Sequence, residues 1–304
     1  MSEIRLYDTP AFKARFMPSN ELDGLLKDDF RRFFVLRLED MYRHVTRPVP
    51  ASRSTIHTCL YLTEGEANMT IGSERFTIHA HELLFVPAGQ VFSFRENDVN
   101  RGYICGFHPD FLVGRIARND LLNEFTFLRV WGNPKLQPEA ESARFLRRLL
   151  NRLLTEYSRY GLQHLDLLQA YFLAFLCEVD LAYQPTVTEE PVAAVTITNR
   201  FRELLFAHIR TKHRVTEYAS LLHITPNHLN KTVKAVTGKS PTQWIDETVL
   251  LEAKVLLCQS ELSVSEIAAQ VGLEDPSYFT RLFRKYEGQT PTEFRRMIEK
   301  AWKQ

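Results

Sequence analysis

Long hydrophobic runs are absent from this sequence. No stretch approaches the roughly 18–20 consecutive apolar residues that a membrane-spanning helix requires, so we expect no membrane segment. The first residues, MSEIRLYDTP, include acidic side chains and lack an apolar core, which does not fit a secretory signal. Together these two absences predict a cytoplasmic protein.

Cysteine is scarce and scattered. The four thiols lie far apart with no CxxC pair, at Cys59, Cys105, Cys177 and Cys258. We interpret them as reduced and mostly buried, in preference to disulfides or a metal site. The 304 residues are 44% apolar and 25% charged, which is ordinary for a globular chain long enough to form two domains.

The segment from about residue 33 to residue 107 has the composition of short β-strands. Its strand-like segments are FFVLRLE, TIHTCLYLTEG, EANMTIG, ERFTIHA, HELLFVPAG, VFSFRE and RGYICGF. Turn-forming residues separate them, at Gly65, Gly72-Ser73, Pro87 with Gly89, and Asn97-Asp98. Many short strands without intervening helices favour an antiparallel sandwich or barrel.

Residues 138–183 change to the period of helices and predict a helical hairpin broken at Gly161. Its apolar surface is larger than exposed helix faces usually carry. The hairpin either caps the sheet or pairs with its copy in a second subunit, and we favour the second interpretation. Residues 184–196 contain two prolines and no helical stripe, so we place a linker there.

A twenty-residue pattern occurs twice in the remaining, helical third of the chain. TPNHLNKTVKAVTGKSPTQW (residues 225–244) and DPSYFTRLFRKYEGQTPTEF (residues 275–294) match at proline, glycine, apolar and basic positions. Each copy begins with a capping residue and a proline at the first helical position, and a glycine ends its helix. The shorter segments VTEYASLLHI and VSEIAAQVGL precede the two copies. A helix, a tight turn and a second short helix form a helix-turn-helix.

The outward faces of the two repeated helices carry polar and basic side chains. These are Asn227, His228, Asn230 and Lys231 in the first copy, and Ser277, Tyr278, Thr280 and Arg281 in the second. Such side chains suit base edges and phosphates, and no acidic residue lies between them, whereas a solvated helix normally mixes signs. Residues 197–304 hold 16 Lys and Arg against 12 Asp and Glu. The alternative is a helical bundle whose pattern recurs only for packing and solubility.

The segment SVSEIAAQVGLEDPSYFTRLFRKYEGQTPTEFR resembles the C-terminal signature of the AraC/XylS transcription regulators, and the resemblance covers roughly residues 200–298. It implies two helix-turn-helix subdomains, about 215–236 and 264–286, joined by a long helix at about 241–259. By this resemblance the helices that begin at Pro226 and Pro276 enter successive major grooves of DNA. Relatives often carry arginine where this chain has Val249, so we expect the corresponding contact to be absent.

Individual roles follow from side-chain chemistry. Arg281 is our first choice for base readout. The residues expected to bind phosphate are Lys234, Lys239, Arg284 and Lys285, together with the helix N-termini.

The segment HAHELLFVPAGQVFSF, with the glycine at 65, resembles the small cupin barrel that many of these regulators carry. A barrel of this kind can hold one small ligand, and we expect an apolar pocket near four aromatic residues, Tyr61, Phe85, Phe92 and Phe94. Core packing is the alternative for each of them. Four histidines, His57, His79, His81 and His108, suggest a metal site, with His79 and His81 on one strand face. We prefer satisfied or surface histidines, and we expect no metal or other cofactor.

The prediction is therefore an α+β protein of two domains. An antiparallel cupin-like barrel with an N-terminal arm (1–137) carries the helical hairpin (138–183), and the linker (184–196) leads to an all-α DNA-binding domain (197–304). We expect a non-enzymatic regulator of transcription that acts as an activator and forms a homodimer. Its expected partners are a double-stranded DNA operator, RNA polymerase and an unknown small-molecule effector. The alternatives are a metal-dependent cupin enzyme with an accessory DNA-binding domain, and a constitutive DNA binder without an effector.

Overall fold

The structure, a computed structural model, describes residues 7–27, 29–44, 48–94, 100–112, 122, 125–129, 134–183 and 192–303. The chain divides into two compact units, one that ends at residue 185 and one that begins at residue 186. The first combines an antiparallel sheet with helices and the second is helical, which confirms the predicted α+β class. Of the predicted linker, residues 184–191 lie outside the described residues. No helix in the described ranges is both long and apolar enough to cross a bilayer.

The N-terminal unit contains eight described strands. They are β1 (Phe33–Arg37), β2 (Val49–Arg53), β3 (His57–Ile71), β4 (Glu74–His79), β5 (Leu83–Val86), β6 (Val91–Phe94), β7 (Asn100–Phe107) and β8 (Lys135–Leu136). Every pairing of these strands is antiparallel. The main order is β1-β7-β3-β5-β8. Strand β3 also pairs with β4 and with β6, and β6 pairs in turn with β2. This order closes into no ring within the described part of the chain.

Strand β3 corrects one expectation from the sequence. A turn was expected at Gly65, but the strand runs through it without reversing. Gly65 has a φ of 81°, and the register against β7 shifts between Leu62 and Glu64. The shift lies just before Gly65, which itself pairs with Asn100, and glycine tolerates a positive φ within a strand as well as in a turn. The first half of β3 therefore pairs with β5 and β7, and its second half pairs with β4 and β6. The turn expected at 97–98 lies outside the described residues.

The sheet has two buried faces because side chains alternate along each strand. Helices α4 (Ala140–Tyr160) and α5 (Leu165–Ala182) pack on one of them. On that side the ring of Phe33 lies 5.3 Å from the ring of Phe172 in α5. The Tyr61 hydroxyl donates a hydrogen bond of 3.2 Å to the carbonyl of Ala143 in α4. The hairpin predicted from the helical period thus covers the sheet with its inner face.

Three short helices lie at the other face, α1 (Thr9–Phe16), α2 (Asn20–Leu25) and α3 (Leu38–Tyr42). Helix α1 begins with Asp8 as its N-cap, whose carboxylate accepts from the backbone N–H of Ala11 at 2.9 Å. The ring of Phe12 in α1 lies 5.8 Å from that of Phe92 in β6. These contacts leave a cavity between α1, α2 and the sheet.

The C-terminal unit consists of seven helices within the described residues. They are α6 (Val192–His208), α7 (Val215–Leu221), α8 (Pro226–Thr237), α9 (Pro241–Gln259), α10 (Val264–Gln270), α11 (Pro276–Glu287) and α12 (Pro291–Lys303). Helices α7 and α8 contact each other, as do α10 and α11, and α9 contacts helices of both pairs. The two copies of the repeated sequence thus form α8 and α11, which occupy equivalent positions in two helix pairs that both contact α9.

Candidate DNA-binding surface

The two helix-turn-helix units have the same turn geometry. In the first, the N–H of Ile224 donates to the carbonyl of Ala219 at 3.0 Å. In the second, the N–H of Leu273 donates to the carbonyl of Ala268 at 2.8 Å. The residue just before each donor has a positive φ, 55° at His223 and 81° at Gly272. The sequence pattern did not reveal this match, because a histidine stands where the second copy has glycine.

The repeated helices also begin and end alike. Thr225 caps α8 by accepting from the N–H of His228 at 3.2 Å, and Asp275 caps α11 by accepting from the N–H of Ser277 at 2.8 Å. Each helix then ends at a glycine with a φ of 73°. Proline at the first turn leaves fewer unsatisfied N–H groups, and the remaining ones are able to bind anions.

Most of the predicted DNA-contacting side chains are exposed on one side of these helices. In α8 the exposed ones are Asn227, His228, Lys231 and Lys234, and in α11 they are Ser277, Tyr278, Arg281, Arg284 and Lys285. The opposite sides are buried, with Leu229 and Val233 in α8 and Phe279 and Phe283 in α11 fully enclosed. Each short helix therefore presents a polar, basic face, as the spacing predicted.

Four predicted contact residues already have partners inside the protein. Asn230 Nδ2 and Thr280 Oγ1, at equivalent positions, donate to the carbonyls of Pro226 and Pro276 at 3.0 and 2.9 Å. Lys239 forms an ion pair of 2.9 Å with Glu247, and Arg281 lies 3.8 Å from the Asp275 carboxylate. The Arg281 pair is exposed and therefore weak, and the side chain of Arg281 is 70% exposed. Lys239 is held more firmly, since its side chain is only 33% exposed and Nζ also lies 5.3 Å from the Trp244 ring.

Val249 lies in the core of the C-terminal unit. It is 2% exposed and belongs to the buried side of α9. A side chain at this position packs between helices, and the expectation that it makes no DNA contact stays a prediction.

The cavity of the N-terminal unit has a volume of about 90 Å³ and is lined mainly by apolar side chains. Its lining includes Phe12, Met17, Leu22, Phe34, Leu36, Ile56, Leu60, Met69, Val86, Phe92, Phe94 and Ile104. Two polar side chains come from α1. Thr9 is only 9% exposed and its Oγ1 has no hydrogen-bond partner within the described structure. Lys13 also lines the cavity and pairs with Asp23.

The expected effector pocket requires a correction. Phe92 and Phe94 line the cavity, but Tyr61 and Phe85 lie on the other face of the sheet. Tyr61 binds α4, and the Phe85 ring lies 4.7 Å from that of Phe127. Thr9 and Lys13, which also line the cavity, were not among the residues expected there.

The four histidines do not assemble into one site. Burial, and then the nearby His108, lower the pKa of His57 to about 4, and its Nδ1 accepts from the N–H of Ala88 at 3.1 Å. Strand β4 ends at His79 and His81 lies in a turn with a φ of 71°, so the expectation that the two share a strand face is wrong. Among the residues that the structure describes, no group of three or more His, Cys, Asp and Glu is placed to hold a metal ion.

The chain is similar to several known proteins. A helix-turn-helix domain family matches residues 218–297. The MmsAB operon regulatory protein of Pseudomonas aeruginosa is 24% identical over 249 residues, which is 81% of this chain and 76% of that protein. The HTH-type transcriptional regulator YisR of Bacillus subtilis is 28% identical over 123 residues, 40% of this chain, so the chain covers only 43% of that relative's length. The solved structure of ToxT from Vibrio cholerae is 16% identical, with a TM-score of 0.43 over 88% of this chain and 98% of ToxT.

The geometry and the family match define the C-terminal unit as a double helix-turn-helix, DNA-binding domain. This domain is of the AraC/XylS type, which confirms the resemblance stated from the sequence.

We expect the Asp275→Thr variant to bind DNA of any sequence about two- to fivefold more tightly, because the carboxylate at the start of α11 repels DNA phosphates and the substitution removes that repulsion. Threonine caps the first copy, so the cap is kept, while one negative charge is removed and Arg281 is released. Fluorescence anisotropy with a random-sequence duplex measures the effect. Glu274→Gln, an exposed charge change next to the cap, is the control. Weaker binding by Asp275→Thr alone would contradict this role for the carboxylate.

Proposed function

We propose that the protein is a sequence-specific regulator of transcription that binds a double-stranded DNA operator through α8 and α11. The observation that carries this proposal is a pair of matching helices, α8 and α11, which we call the two readers. Two helices that each begin with a side-chain cap followed by proline and end at a glycine present outer faces without an acidic side chain from Asn227 to Lys234 and from Ser277 to Lys285. Two such faces suit two successive major grooves.

The exposed residues divide into two chemical roles in this proposal. Arg281 reads a base edge, since guanidinium pairs with guanine in the major groove. Lys234 lies in the last turn of α8 and binds phosphate, which positions the protein without specifying sequence. The amide oxygen of Asn230 and the hydroxyl oxygen of Thr280 are still able to accept a hydrogen bond from DNA while each side chain donates to its proline carbonyl.

We expect Arg281→Ala to lose about 1–3 kcal/mol of binding free energy on the preferred duplex and to relax preference at one base pair. Lys234→Ala should weaken binding to preferred and random duplexes alike and reduce the salt dependence of binding by about one phosphate contact. Affinities of both variants for a selected duplex and for random duplexes measure this difference.

Equal losses by Arg281→Ala on selected and random DNA would contradict the base-reading role. Glu293→Gln changes an exposed charge of α12 outside the two readers and serves as the control.

The cavity of the N-terminal unit supports control by a small effector. Its lining is apolar except for a few groups, and Thr9 Oγ1 is buried without a partner. A buried hydroxyl without a partner costs free energy, and a ligand that hydrogen-bonds to it removes that cost. We infer a small, mainly apolar ligand with a polar, hydrogen-bonding group directed at Thr9 and Lys13.

We expect a compound of this kind to raise the melting temperature, because a ligand at 100 times its Kd stabilises by about 2.7 kcal/mol. A thermal-shift screen of small aromatic acids, aliphatic acids and sugars finds it. Thr9→Val should reduce the shift, while Thr155→Val, a similar change on α4, should not.

If no compound shifts the melting temperature, or if Thr9→Val responds as the wild type does, the effector role of the cavity is contradicted. The protein would then act as a constitutive DNA binder.

The outer face of the α4–α5 hairpin supports a homodimer. Four large apolar side chains are exposed on it, Phe145, Tyr160, Leu167 and Leu181. Helix α4 carries five arginines, whereas α5 carries Asp166, Glu178 and Asp180 and no basic residue. Opposite charges on adjacent helices are complementary when two copies meet across a twofold axis.

We expect Leu181→Asp to shift the protein towards monomer in sedimentation equilibrium, because the side chain is 81% exposed and a charge there is buried on dimerisation. Met297→Asp changes a 51% exposed apolar residue of α12 and should leave the mass unchanged. A wild-type protein that is monomeric at micromolar concentration would contradict the proposed interface.

In this proposal a ligand or a rearrangement of the sheet changes how the readers of the two subunits are spaced, and the spacing selects which half-sites are occupied. The position of the occupied half-sites relative to the promoter then determines whether the protein contacts RNA polymerase and activates transcription. DNA is the target, so we place the protein in the cytoplasm. Identical promoter footprints with and without ligand would contradict this mechanism.

A further inference from the structure

The two helix-turn-helix subdomains touch near His213 and Val271 within the C-terminal unit. His213 precedes α7 of the first subdomain, and Val271 ends α10 of the second. Nε2 of His213 lies 2.9 Å from the carbonyl oxygen of Val271. A carbonyl only accepts, so Nε2 carries the proton and donates. The contact joins residues 58 positions apart and ties one subdomain to the turn of the other.

Gly272, the next residue, is in close contact with the same segment. A Cβ on Gly272 would lie 2.3 Å from the carbonyl oxygen of Arg210 and 2.4 Å from Cε1 of His213. The equivalent position in the first subdomain is His223, which has a positive φ and an exposed side chain. The turn itself therefore accepts a side chain. Glycine at 272 is required by the close approach of the two subdomains, because any Cβ there would separate them.

The segment of residues 210–213 is also tied to the shared helix. The Arg210 guanidinium lies 3.5 Å from the carboxylate of Glu252 in α9, and Glu252 is 4% exposed. The segment is thus held by α9 on one side and by the turn of the second subdomain on the other. This arrangement leaves little freedom for the two subdomains to rotate about α9.

We propose that His213 and Gly272 are positioning residues that hold the two recognition helices at one fixed separation, so that the protein measures the distance between two DNA half-sites. The inference rests on the proposed function. A rigid pair of readers loses less conformational freedom on binding than a flexible pair. A rigid pair also tolerates a change in half-site spacing poorly, since one added base pair rotates and displaces the second half-site. A flexible pair would follow that displacement.

The test uses the full-length protein and a duplex selected by the wild type from a random pool. Affinity is measured for this duplex, for the same duplex with one base pair inserted between the two protected halves, and for one with the second half scrambled. We expect the insertion to weaken wild-type binding about tenfold or more, the equivalent of about 1.4 kcal/mol. For the His213→Ala variant, the same insertion in the duplex should weaken binding by at most about threefold. His213→Gln, whose amide donates at a similar position, should restore much of the wild-type sensitivity.

The scrambled duplex separates positioning from folding. Binding to it depends on one reader, so His213→Ala should match the wild type within about twofold there.

Gly272→Ala should behave as His213→Ala does. Gly238→Ala is its matched control, because Gly238 has a similar positive φ but no atom within 4 Å of its Cβ position. Gly238→Ala should keep the insertion penalty.

An insertion penalty in His213→Ala as large as in the wild type would overturn the inference, and so would wild-type binding that ignores the insertion. If the wild type selects no duplex at all, the proposed function fails, and this result is distinct from either of the others.

Discussion

Helix α9 is the element on which the rest of the C-terminal unit depends. Ten of its residues are buried, and it contacts α6, α8, α10, α11 and α12. Each fully buried Leu, Ile or Val side chain contributes about 1.5–3 kcal/mol, whereas an exposed ion pair contributes about 0–1 kcal/mol. Packing against α9 therefore holds the two subdomains together. The polar contacts at its surface, such as the 2.9 Å bond from the Tyr286 hydroxyl to Asp246, select one orientation among those that packing permits.

The N-terminal sheet connects the cavity to the hairpin through neighbouring residues of the same strands. In β1, Phe34 lines the cavity while Phe33 contacts α5. In β3, Leu60 lines the cavity while Tyr61 bonds to α4. A ligand that moves these strands from one face must also act on the packing of the other face, because close-packed interiors transmit displacement. This gives the proposed effector a short physical connection to the proposed dimer surface.

The features that sequence predicted well are those fixed by local chemistry. The ends of α8 and α11 follow from a cap, a proline and a glycine within each repeat, and their buried sides follow from helical spacing. Gly65 was misread as a turn because glycine tolerates a positive φ within a strand as well as in a turn, and only the pairing partners decide between them. The sequence also does not predict on which face of the sheet each aromatic side chain lies. Phe85 and Phe92 are both buried, and only the strand register assigns them to different faces.

The contact between His213 and Gly272 had no signal in the sequence. It joins two loops through a carbonyl and a missing Cβ, and neither leaves a pattern of residue types. The same is true of Thr9, whose importance comes from burial without a partner. Such sites arise from tertiary packing, which sequence spacing alone does not fix.

Hydroxyl-radical footprinting of the full-length protein on a selected duplex tests the central claim most directly. The account predicts two protected patches on one face of the DNA, centred about one helical turn, or about 10 base pairs, apart. A single patch, or two patches on opposite faces of the duplex, would contradict the assignment of α8 and α11 as paired readers of adjacent major grooves.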